Sequence, residues 1–264
     1  MISENHRVGD INTNNYSFNK IDTKNKAYIL GFLLATTIIN HSKCMIDAPM
    51  NDKEVVEFIG SIIGATPRYS YKYDKKKRIF PSVRVDKKIT DITQFTGGEK
   101  KADRHYPRVP KDFERYLLLG FFDGDGTISW GRRKDRNRIW HKISFKSSLS
   151  ILTGLQNMLL NTLDIATVVH PVRNENVYVL EFAGRKNVLK FLSYIYPDNS
   201  FVILRRKYMN QNALRLELGE NGESPVEGQY RVEYTEYKDV ETNGDVAAHL
   251  NNHSSPQVVL NNKI

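Results

Sequence analysis

Apolar and polar positions along the chain follow a helical period in some segments and a period of two in others. An apolar helix over residues 26–37 opens one series of segments, and a similar helix over residues 111–123 opens a second series. Each is followed by alternating stretches, another segment with helical spacing and a second set of alternating stretches. The pattern predicts two copies of one unit, each with the order helix, two strands, helix, two strands, helix.

The first copy contains six predicted segments. They are a helix over 26–37, a strand or strand pair over 38–48, a helix over 52–63 capped by Asn51, strands over 68–74 and 79–85, and a short helix over 87–95. In the strand at 68–74, tyrosines alternate with Arg68, Ser70 and Lys72. Successive side chains of a strand point to opposite faces, so we expect the two kinds of residue on different sides of the sheet.

The second copy repeats this order after a linker rich in glycine, proline and basic residues. Its predicted segments are a helix over 111–123, strands over 127–133 and 138–146, a helix over 148–163, strands over 167–172 and 177–182, and a helix over 185–196. The predicted domains are a flexible leader at 1–24, a first unit at 25–97, a linker at 98–111, a second unit at 112–215 and an acidic, mostly flexible tail at 216–264. Within the tail, residues 230–234 alternate as a strand would.

The opening helices of the two copies share a nine-residue pattern with an offset of 89 positions. Residues 118–126 read LLGFFDGDG, and residues 29–37 read ILGFLLATT. Thr36 stands where the second copy has Asp125. The copies are therefore related in fold but unequal in chemistry.

Small residues recur along these two helices. Gly31 and Ala35 are four positions apart in the first, and Gly120 and Gly124 are four apart in the second. Residues four apart share one face of a helix, where small side chains let two backbones approach closely. We expect the two helices to pack against each other around a pseudo-twofold axis and to end beside it.

Charge is spread unevenly along the chain. The net charge is +9, and the nine acidic and three basic residues from Glu217 onward give that segment −6, which leaves +15 for residues 1–216. A body this basic favours a polyanionic partner, because neutralised phosphates release counterions. We predict a nucleic-acid partner.

Several classes of protein are disfavoured by the composition. Cys44 is the single cysteine, so an intramolecular disulfide or a cysteine-based zinc site is excluded. The longest apolar run, residues 27–39, is too short to span a membrane and follows a polar leader. We expect an intracellular protein that is neither secreted nor held in a membrane.

Two carboxylates mark the end of the second opening helix. Asp123 and Asp125 alternate with Gly124 and Gly126, a run that is also ordinary turn chemistry. At the junction of two copies and under a basic surface, the carboxylates favour a site that holds Mg²⁺ against a phosphate group.

These residues resemble the LAGLIDADG family of homing endonucleases and maturases. The resemblance covers roughly residues 25–210, its most specific motif is 118–126, and segment 101–121 is similar to the junction between copies in single-chain members. It implies an α+β fold of two tandem αββαββα units related by a pseudo-twofold axis, with antiparallel sheets forming a DNA-binding saddle. It also implies intron homing through cleavage of duplex DNA with Mg²⁺ or Mn²⁺.

The resemblance assigns roles to the motif residues. Asp125 matches the metal-binding acid of the second motif, and Gly124 and Ala35 belong to the same implied metal site. Asp123 matches the earlier acid, which supports the site and is not the main ligand. Thr36 replaces the first-motif acid, and its neutral hydroxyl is a poor substitute because it adds no charge against Mg²⁺.

Two lysines are catalytic candidates by the same resemblance. Lys207 matches the basic residue that follows the last strands, and Lys101 is its expected counterpart before the second motif. Contact with phosphate or activation of water competes, for each lysine, with the alternative of a solvated side chain.

Two basic runs at predicted hairpin tips are expected to be counterparts in the two copies and to contact DNA. Basic side chains on a two-stranded ribbon can reach base edges and phosphates in the major groove. A solvated turn is the simpler alternative. The candidates, with two lysines farther along the second hairpin, are Lys72, Lys75, Lys76, Lys77, Arg78, Arg132, Arg133, Lys134, Arg136, Arg138, Lys142 and Lys146.

The preferred hypothesis is a monomeric, site-specific endonuclease for double-stranded DNA whose cutting is weakened or strand-biased by Thr36. The alternative is a protein of the same fold that does not cleave: an intron maturase, with intron RNA as a partner, or a DNA-bound regulator. A third hypothesis is a structural interaction module, which predicts no salt-sensitive affinity for duplex DNA.

Overall fold

The computed structural model describes residues 17–36, 38–39, 44–73, 79–87, 92–133, 138–173, 175–198, 200–218, 230–232 and 258–260. The chain divides into two compact units, Met1–Arg215 and Leu216–Ile264. Both repeats lie in the larger unit.

The first repeat follows the predicted order of helices and strands. Its elements are α1 (Lys24–Thr36), β1 (Ile38–Ile39), β2 (Cys44–Pro49), α2 (Lys53–Ile63), β3 (Arg68–Tyr73), β4 (Ile79–Lys87) and α3 (Thr93–Thr96). The strands form an antiparallel sheet in the order β1-β2-β4-β3. Helix α2 packs on this sheet through buried Val55, Val56 and Ile59, which recur at helical spacing.

The second repeat has the same order. Its elements are α4 (Lys111–Asp125), β5 (Gly126–Arg133), β6 (Arg138–Ser147), α5 (Leu149–Leu163), β7 (Val168–Pro171), β8 (Tyr178–Ala183) and α6 (Arg185–Ile195). The sheet order, β5-β6-β8-β7, reproduces that of the first repeat. The predicted α+β class with two tandem αββαββα repeats and antiparallel sheets is thereby confirmed. A further helix, α7 (Arg205–Glu217), follows the second repeat.

Helices α1 and α4 form the most extensive contact between elements of different repeats. A Cβ added to Gly31 would lie 2.0 Å from the carbonyl oxygen of Leu117, and one added to Gly120 would lie 2.0 Å from that of Tyr28. Leu117 is 89 positions beyond Tyr28, as Gly120 is beyond Gly31. The contact is therefore reciprocal, and only glycine at these positions permits so close an approach.

Aromatic residues fix α4 on the second sheet. Phe122 meets Phe145 of β6 and Phe191 of α6 at ring-centroid distances of 5.8 and 5.3 Å, and Phe121 stacks on Phe145 at 5.5 Å. All four rings are fully buried. This packing sets the direction in which α4 ends, and hence the position of Asp125.

Three helix predictions differ from the structure. Helix α2 begins at Lys53 after a 3₁₀ turn at Met50–Asp52, so Asn51 is not its cap. The helix expected over 87–95 is observed only at Thr93–Thr96, and residues 88–91 lie outside the described residues. Helix α7 was not predicted from the sequence, because it has too few apolar positions to show a helical period.

The two basic runs belong to hairpins that are not equivalent in the two repeats, contrary to the expectation that the runs are counterparts. Residues 134–137 join β5 to β6, whereas residues 74–78 join β3 to β4. Because the sheets have equivalent orders, β5 and β6 correspond to β1 and β2, and β3 and β4 correspond to β7 and β8. The expectation was wrong because it compared charge without counting the short hairpin β1-β2.

The smaller unit contributes strand β9 (Tyr230–Val232), which pairs in antiparallel fashion with β10 (Val258–Leu260). Strand β9 lies within the stretch that alternates in the sequence. Among the helices that the structure describes, none is long and apolar enough to cross a membrane.

Candidate active site at the ends of two helices

The ends of α1 and α4 are joined by one ammonium group. Lys101 Nζ donates to the carbonyl oxygen of Ala35 at 2.6 Å and to Oδ2 of Asp125, also at 2.6 Å. Lys101 belongs to a 3₁₀ turn, Lys101–Asp103, in the connection between the repeats. Three segments that are distant in sequence, the ends of α1 and α4 and the connection between the repeats, therefore meet at this ammonium group.

Asp125 is the last residue of α4 and remains accessible to solvent, with 17% of its side chain exposed. Burial raises the pKa of this carboxyl above its ordinary value, and the nearby Lys101 ammonium acts in the opposite direction. A partly exposed carboxylate beside a cation can accept an incoming ligand at its free lone pairs.

Asp123 lies two residues before Asp125 in α4 and is buried. The Tyr28 hydroxyl donates to its Oδ2 at 2.7 Å, and the Tyr196 hydroxyl donates to its Oδ1 at 3.4 Å. Both carboxylate oxygens are thus engaged by tyrosines from α1 and from the end of α6. The geometry favours a supporting role for Asp123, which connects the helices around the site.

Lys207 caps the end of α4 and does not reach the Asp125 carboxylate within hydrogen-bonding distance. Its Nζ donates to the carbonyl oxygens of Asp123 at 2.8 Å and Gly126 at 2.6 Å, and also to that of Phe122. The side chain is 7% exposed, and burial lowers the pKa of Lys207 to about 8. An ammonium satisfies carbonyls that a helix end leaves without partners.

Arg104 binds a carbonyl oxygen at the end of α1 in the same way, although it was not predicted from the sequence to belong to the site. Its guanidinium is fully buried and donates to the carbonyl oxygen of Leu33 at 3.1 Å. Leu33 precedes Phe122 by 89 positions, so Arg104 is the counterpart of Lys207 in the first repeat. Arg104 lies in a basic linker, where nothing in the sequence distinguishes a buried arginine from a solvated one.

The remaining candidates for the metal site have no carboxylate and could offer a metal only a backbone oxygen or, for Thr36, a hydroxyl. Ala35 presents its carbonyl oxygen to the site, as a residue without a polar side chain must. Gly124 immediately precedes Asp125 within α4. Thr36 is the last residue of α1, and its side chain lies outside the described residues.

The oxygen atoms at the site are of the type that binds a hard divalent cation. Mg²⁺ is commonly held by one or two carboxylates, with waters and substrate phosphates completing its coordination, and Asp125 with the Ala35 carbonyl supplies oxygens of this type. Within the described residues, no group of three or more His, Cys, Asp or Glu side chains forms a metal cage. The oxygens fit a weakly held ion that shares its coordination with a phosphate.

Two of the candidate DNA-contacting lysines have described side chains. Lys142 pairs with Glu181 at 2.8 Å, and Lys146 pairs with Glu175 at 2.6 Å. Both alternate along β6 with buried Ile143, so they lie on the sheet face away from α5. That face carries partly exposed lysines whose surface ion pairs are weak, so a phosphate can replace the carboxylate partners.

For the other candidate DNA-contacting residues, the structure describes only the backbone or does not describe the residue. Lys72, Arg132, Arg133 and Arg138 lie in strands, and their side chains are outside the described residues. Lys75, Lys76, Lys77, Arg78, Lys134 and Arg136 lie wholly outside the described residues. Arg133 pairs with Arg138 at the tip of the β5-β6 hairpin, as the sequence predicted.

We expect Asp123→Asn to change the pH dependence of stability. Burial raises the pKa of Asp123 to about 6, so protonation of this carboxyl is more favourable in the folded state than in the unfolded chain. Its ionisation therefore costs stability above about pH 6, and that cost disappears as the pH falls towards 4. Asparagine does not titrate, so between pH 7 and pH 4 the wild type should gain about 2 kcal/mol relative to the variant. Urea unfolding of both proteins across this range measures the difference, and a constant difference would refute the assignment.

Comparison with known proteins identifies the second repeat. Residues 112–196 match the model of the LAGLIDADG-like domain family. Among curated proteins, none is similar enough in sequence to count as a relative. The second repeat therefore matches the LAGLIDADG-like domain family, and the resemblance predicted from the sequence is confirmed.

Solved structures extend the likeness to both repeats. The homing endonuclease I-WcaI, solved bound to its DNA recognition sequence, is 12% identical with a TM-score of 0.53, over 72% of this chain and 86% of that one. Meganuclease I-SmaMI, solved with uncleavable DNA, is 9% identical with a TM-score of 0.51, over 78% and 92%. LAGLIDADG meganuclease I-AabMI is 12% identical with a TM-score of 0.50, over 74% and 91%. The two-repeat, single-chain layout of this protein is that of the LAGLIDADG meganuclease fold.

Proposed function

We propose that this chain is a site-specific endonuclease for double-stranded DNA that acts as a monomer and cuts one strand much faster than the other. The observation that carries the proposal is the single carboxylate of Asp125 at the junction of α1 and α4. It faces the Ala35 carbonyl of the other repeat across the Lys101 ammonium. The matching position in the first repeat is Thr36, which brings no carboxylate.

The site can act on a phosphodiester through charge and position. A divalent cation, Mg²⁺ or Mn²⁺, would be held by Asp125 and the backbone oxygens of Ala35 and Gly124, where it would supply Lewis-acid stabilisation to the scissile phosphate. Because Asp125 is the last residue of α4, the helix fixes the position of its carboxylate. Lys101, with 38% of its side chain exposed, can donate to a phosphate oxygen or to an attacking water.

The proposed substrate follows from the charge and the sheets. Residues 1–216 carry +15, Lys142 and Lys146 alternate with buried residues along β6, and the β5-β6 hairpin contains several arginines in its sequence. Strands are able to enter the major groove as a ribbon, and lysines and arginines neutralise phosphates there. I-WcaI and I-SmaMI were solved with DNA, which supports duplex DNA as the substrate of this chain.

A second candidate function is sequence-specific DNA binding without cleavage. Two observations favour it: Thr36 lacks an acid, and Lys101 already contacts the oxygens that a metal would need. A maturase that binds intron RNA, or a DNA-bound regulator, would fit the same scaffold. Binding with no metal-dependent cutting at a selected target separates this candidate from the endonuclease.

DNA binding is tested by the dependence of affinity on salt. We expect the dissociation constant for duplex DNA to rise by about a thousandfold between about 50 and 200 mM salt, as for a protein that contacts roughly six phosphates. Fluorescence anisotropy with a labelled duplex measures this slope. A flat salt dependence would contradict the proposal and favour a structural interaction module.

Matched lysine variants localise the interface. Lys142→Met should reduce the slope of log K against log salt by about 1, since one phosphate contact is lost. Lys190 lies on α6, pairs with Asp164 at 3.7 Å and is exposed to almost the same extent as Lys142. Lys190→Met should leave the slope unchanged, and equal effects of the two substitutions would place the interface elsewhere.

A further inference from the structure

The Lys101 ammonium lies where it satisfies the two oxygens that a metal would also need. Its nitrogen is 2.6 Å from the Asp125 carboxylate and 2.6 Å from the Ala35 carbonyl. Carboxylate and carbonyl oxygens are the ligands of hard divalent cations. They are also the acceptors of an ammonium, which donates up to three hydrogen bonds.

An ammonium and a divalent ion cannot share this pair of oxygens at little cost. Both would draw on the same lone pairs, and at such short range their positive charges repel strongly. An ion that takes both oxygens therefore requires the Lys101 nitrogen to leave. Until then, the single positive charge of Lys101 balances the single negative charge of Asp125.

Lys101 is able to leave, unlike the other ammonium near the site. Its side chain is 38% exposed, so the nitrogen can turn outward and regain water. Lys207 is 7% exposed and is held by three carbonyls at the end of α4. Only the first of these two lysines combines contact with Asp125 and access to solvent.

We propose that Lys101 is a built-in, displaceable cation: it joins the ends of α1 and α4 without metal and competes with divalent ions for Asp125 and the Ala35 carbonyl. The free protein then binds metal weakly. A DNA phosphate beside the site gives Lys101 another acceptor and opens the oxygens to the ion. The importance of this role for cleavage rests on the proposed function. The competition between Lys101 and the metal ion requires no DNA.

The test is metal binding by the full-length chain in the absence of DNA. We expect Lys101→Met to bind Mn²⁺ at least about tenfold more tightly than the wild type in calorimetric titration, because methionine fills the space without the charge. Lys101→Arg keeps the charge and should stay within about threefold of the wild type. Adding Asp125→Asn to Lys101→Met should abolish the gain, which assigns it to this site.

A matched control excludes a general effect of charge. Lys190 has almost the same side-chain exposure as Lys101 and forms an ion pair with Asp164 at 3.7 Å, away from the helix ends. Lys190→Met should leave the Mn²⁺ affinity unchanged. If Lys101→Met does not keep the circular dichroism spectrum of the wild type, Lys101→Gln is titrated in its place.

Failure of this inference is distinguishable from failure of the proposed function. Equal Mn²⁺ affinity of the wild type and the uncharged variant overturns the competition, even if the wild type cuts DNA. Tighter binding by the variant supports the competition, even if neither protein cuts DNA. In that second case the chain is a DNA-binding protein whose lysine has replaced the metal.

Discussion

Replacing Asp125 by asparagine is expected to remove metal-dependent cleavage by at least about a thousandfold, a loss of about 4 kcal/mol of transition-state stabilisation. Asparagine has the shape of aspartate and can still accept a hydrogen bond from Lys101, but it brings no charge to a cation. Affinity for the duplex should change by less than about threefold, because most of the proposed phosphate contacts lie on the sheets, away from the helix ends. Rates are measured on a supercoiled plasmid that carries a target selected from randomised duplexes.

Asp112→Asn is the control for this substitution. Asp112 lies in the first turn of the same helix and is exposed, at the end opposite to Asp125. The control should cut at the rate of the wild type. Cleavage by Asp125→Asn at more than about a tenth of the wild-type rate would show that the carboxylate is not the metal ligand.

Alanine at Gly31 or Gly120 is expected to destabilise the fold by at least about 3 kcal/mol, which lowers the melting temperature by about 6–12 °C. The added Cβ would lie 2.0 Å from a backbone carbonyl oxygen of the facing helix, which no side-chain rotation can relieve. The helices would have to separate, and the end of α4 would shift relative to that of α1. Calorimetric melting of each variant measures the effect.

The reciprocal geometry adds a further expected result. Once one Cβ has separated the helices, the second costs less, so the double variant should lose less stability than the two single variants together. Gly131→Ala is the control, since its Cβ would meet only the half-exposed side chain of Trp140, at 3.0 Å. It should cost less than about 1 kcal/mol. Strictly additive losses would contradict a shared contact between α1 and α4.

The helix pair was predictable because its signal is local and repeated. Gly31 and Gly120 occur in matching apolar helices with an offset of 89 positions, and both glycines prove to be contact points. A closely packed helix pair requires small residues where the two backbones meet. When the helices belong to a repeat, these small residues occur twice at matching positions and can be recognised in the sequence. The pattern predicted that the helices end beside each other, but it ended the second helix at Asp123, whereas α4 continues through Asp125.

The cations around the site were harder to assign. Lys101 and Lys207 were expected to be counterparts, but the structure places Arg104 opposite Leu33 as Lys207 is placed opposite Phe122. Lys101 has instead its own contact with Asp125. The segments that lead from the last strand to these residues differ in length between the repeats, so sequence spacing cannot identify the partner of each cation.

The buried polar network was also beyond the reach of the sequence. Tyr28 and Tyr196 meet on Asp123, although 168 positions separate them in the chain. A tyrosine within an apolar helix has the same pattern whether its hydroxyl reaches a carboxylate or water. Only the packing of both α1 and α6 against α4 brings the three groups together.

The most direct test of the account is the rate at which each strand of a selected duplex target is cut, with the two strands separately labelled, in Mg²⁺. With one carboxylate at the centre and Thr36 in the place of the other, we expect one strand to be cut at least about a hundredfold faster than its complement, and Thr36→Asp to accelerate the slow strand. Equal rates on both strands in the wild type would contradict the claim that Asp125 is the single catalytic acid of an unequal pair.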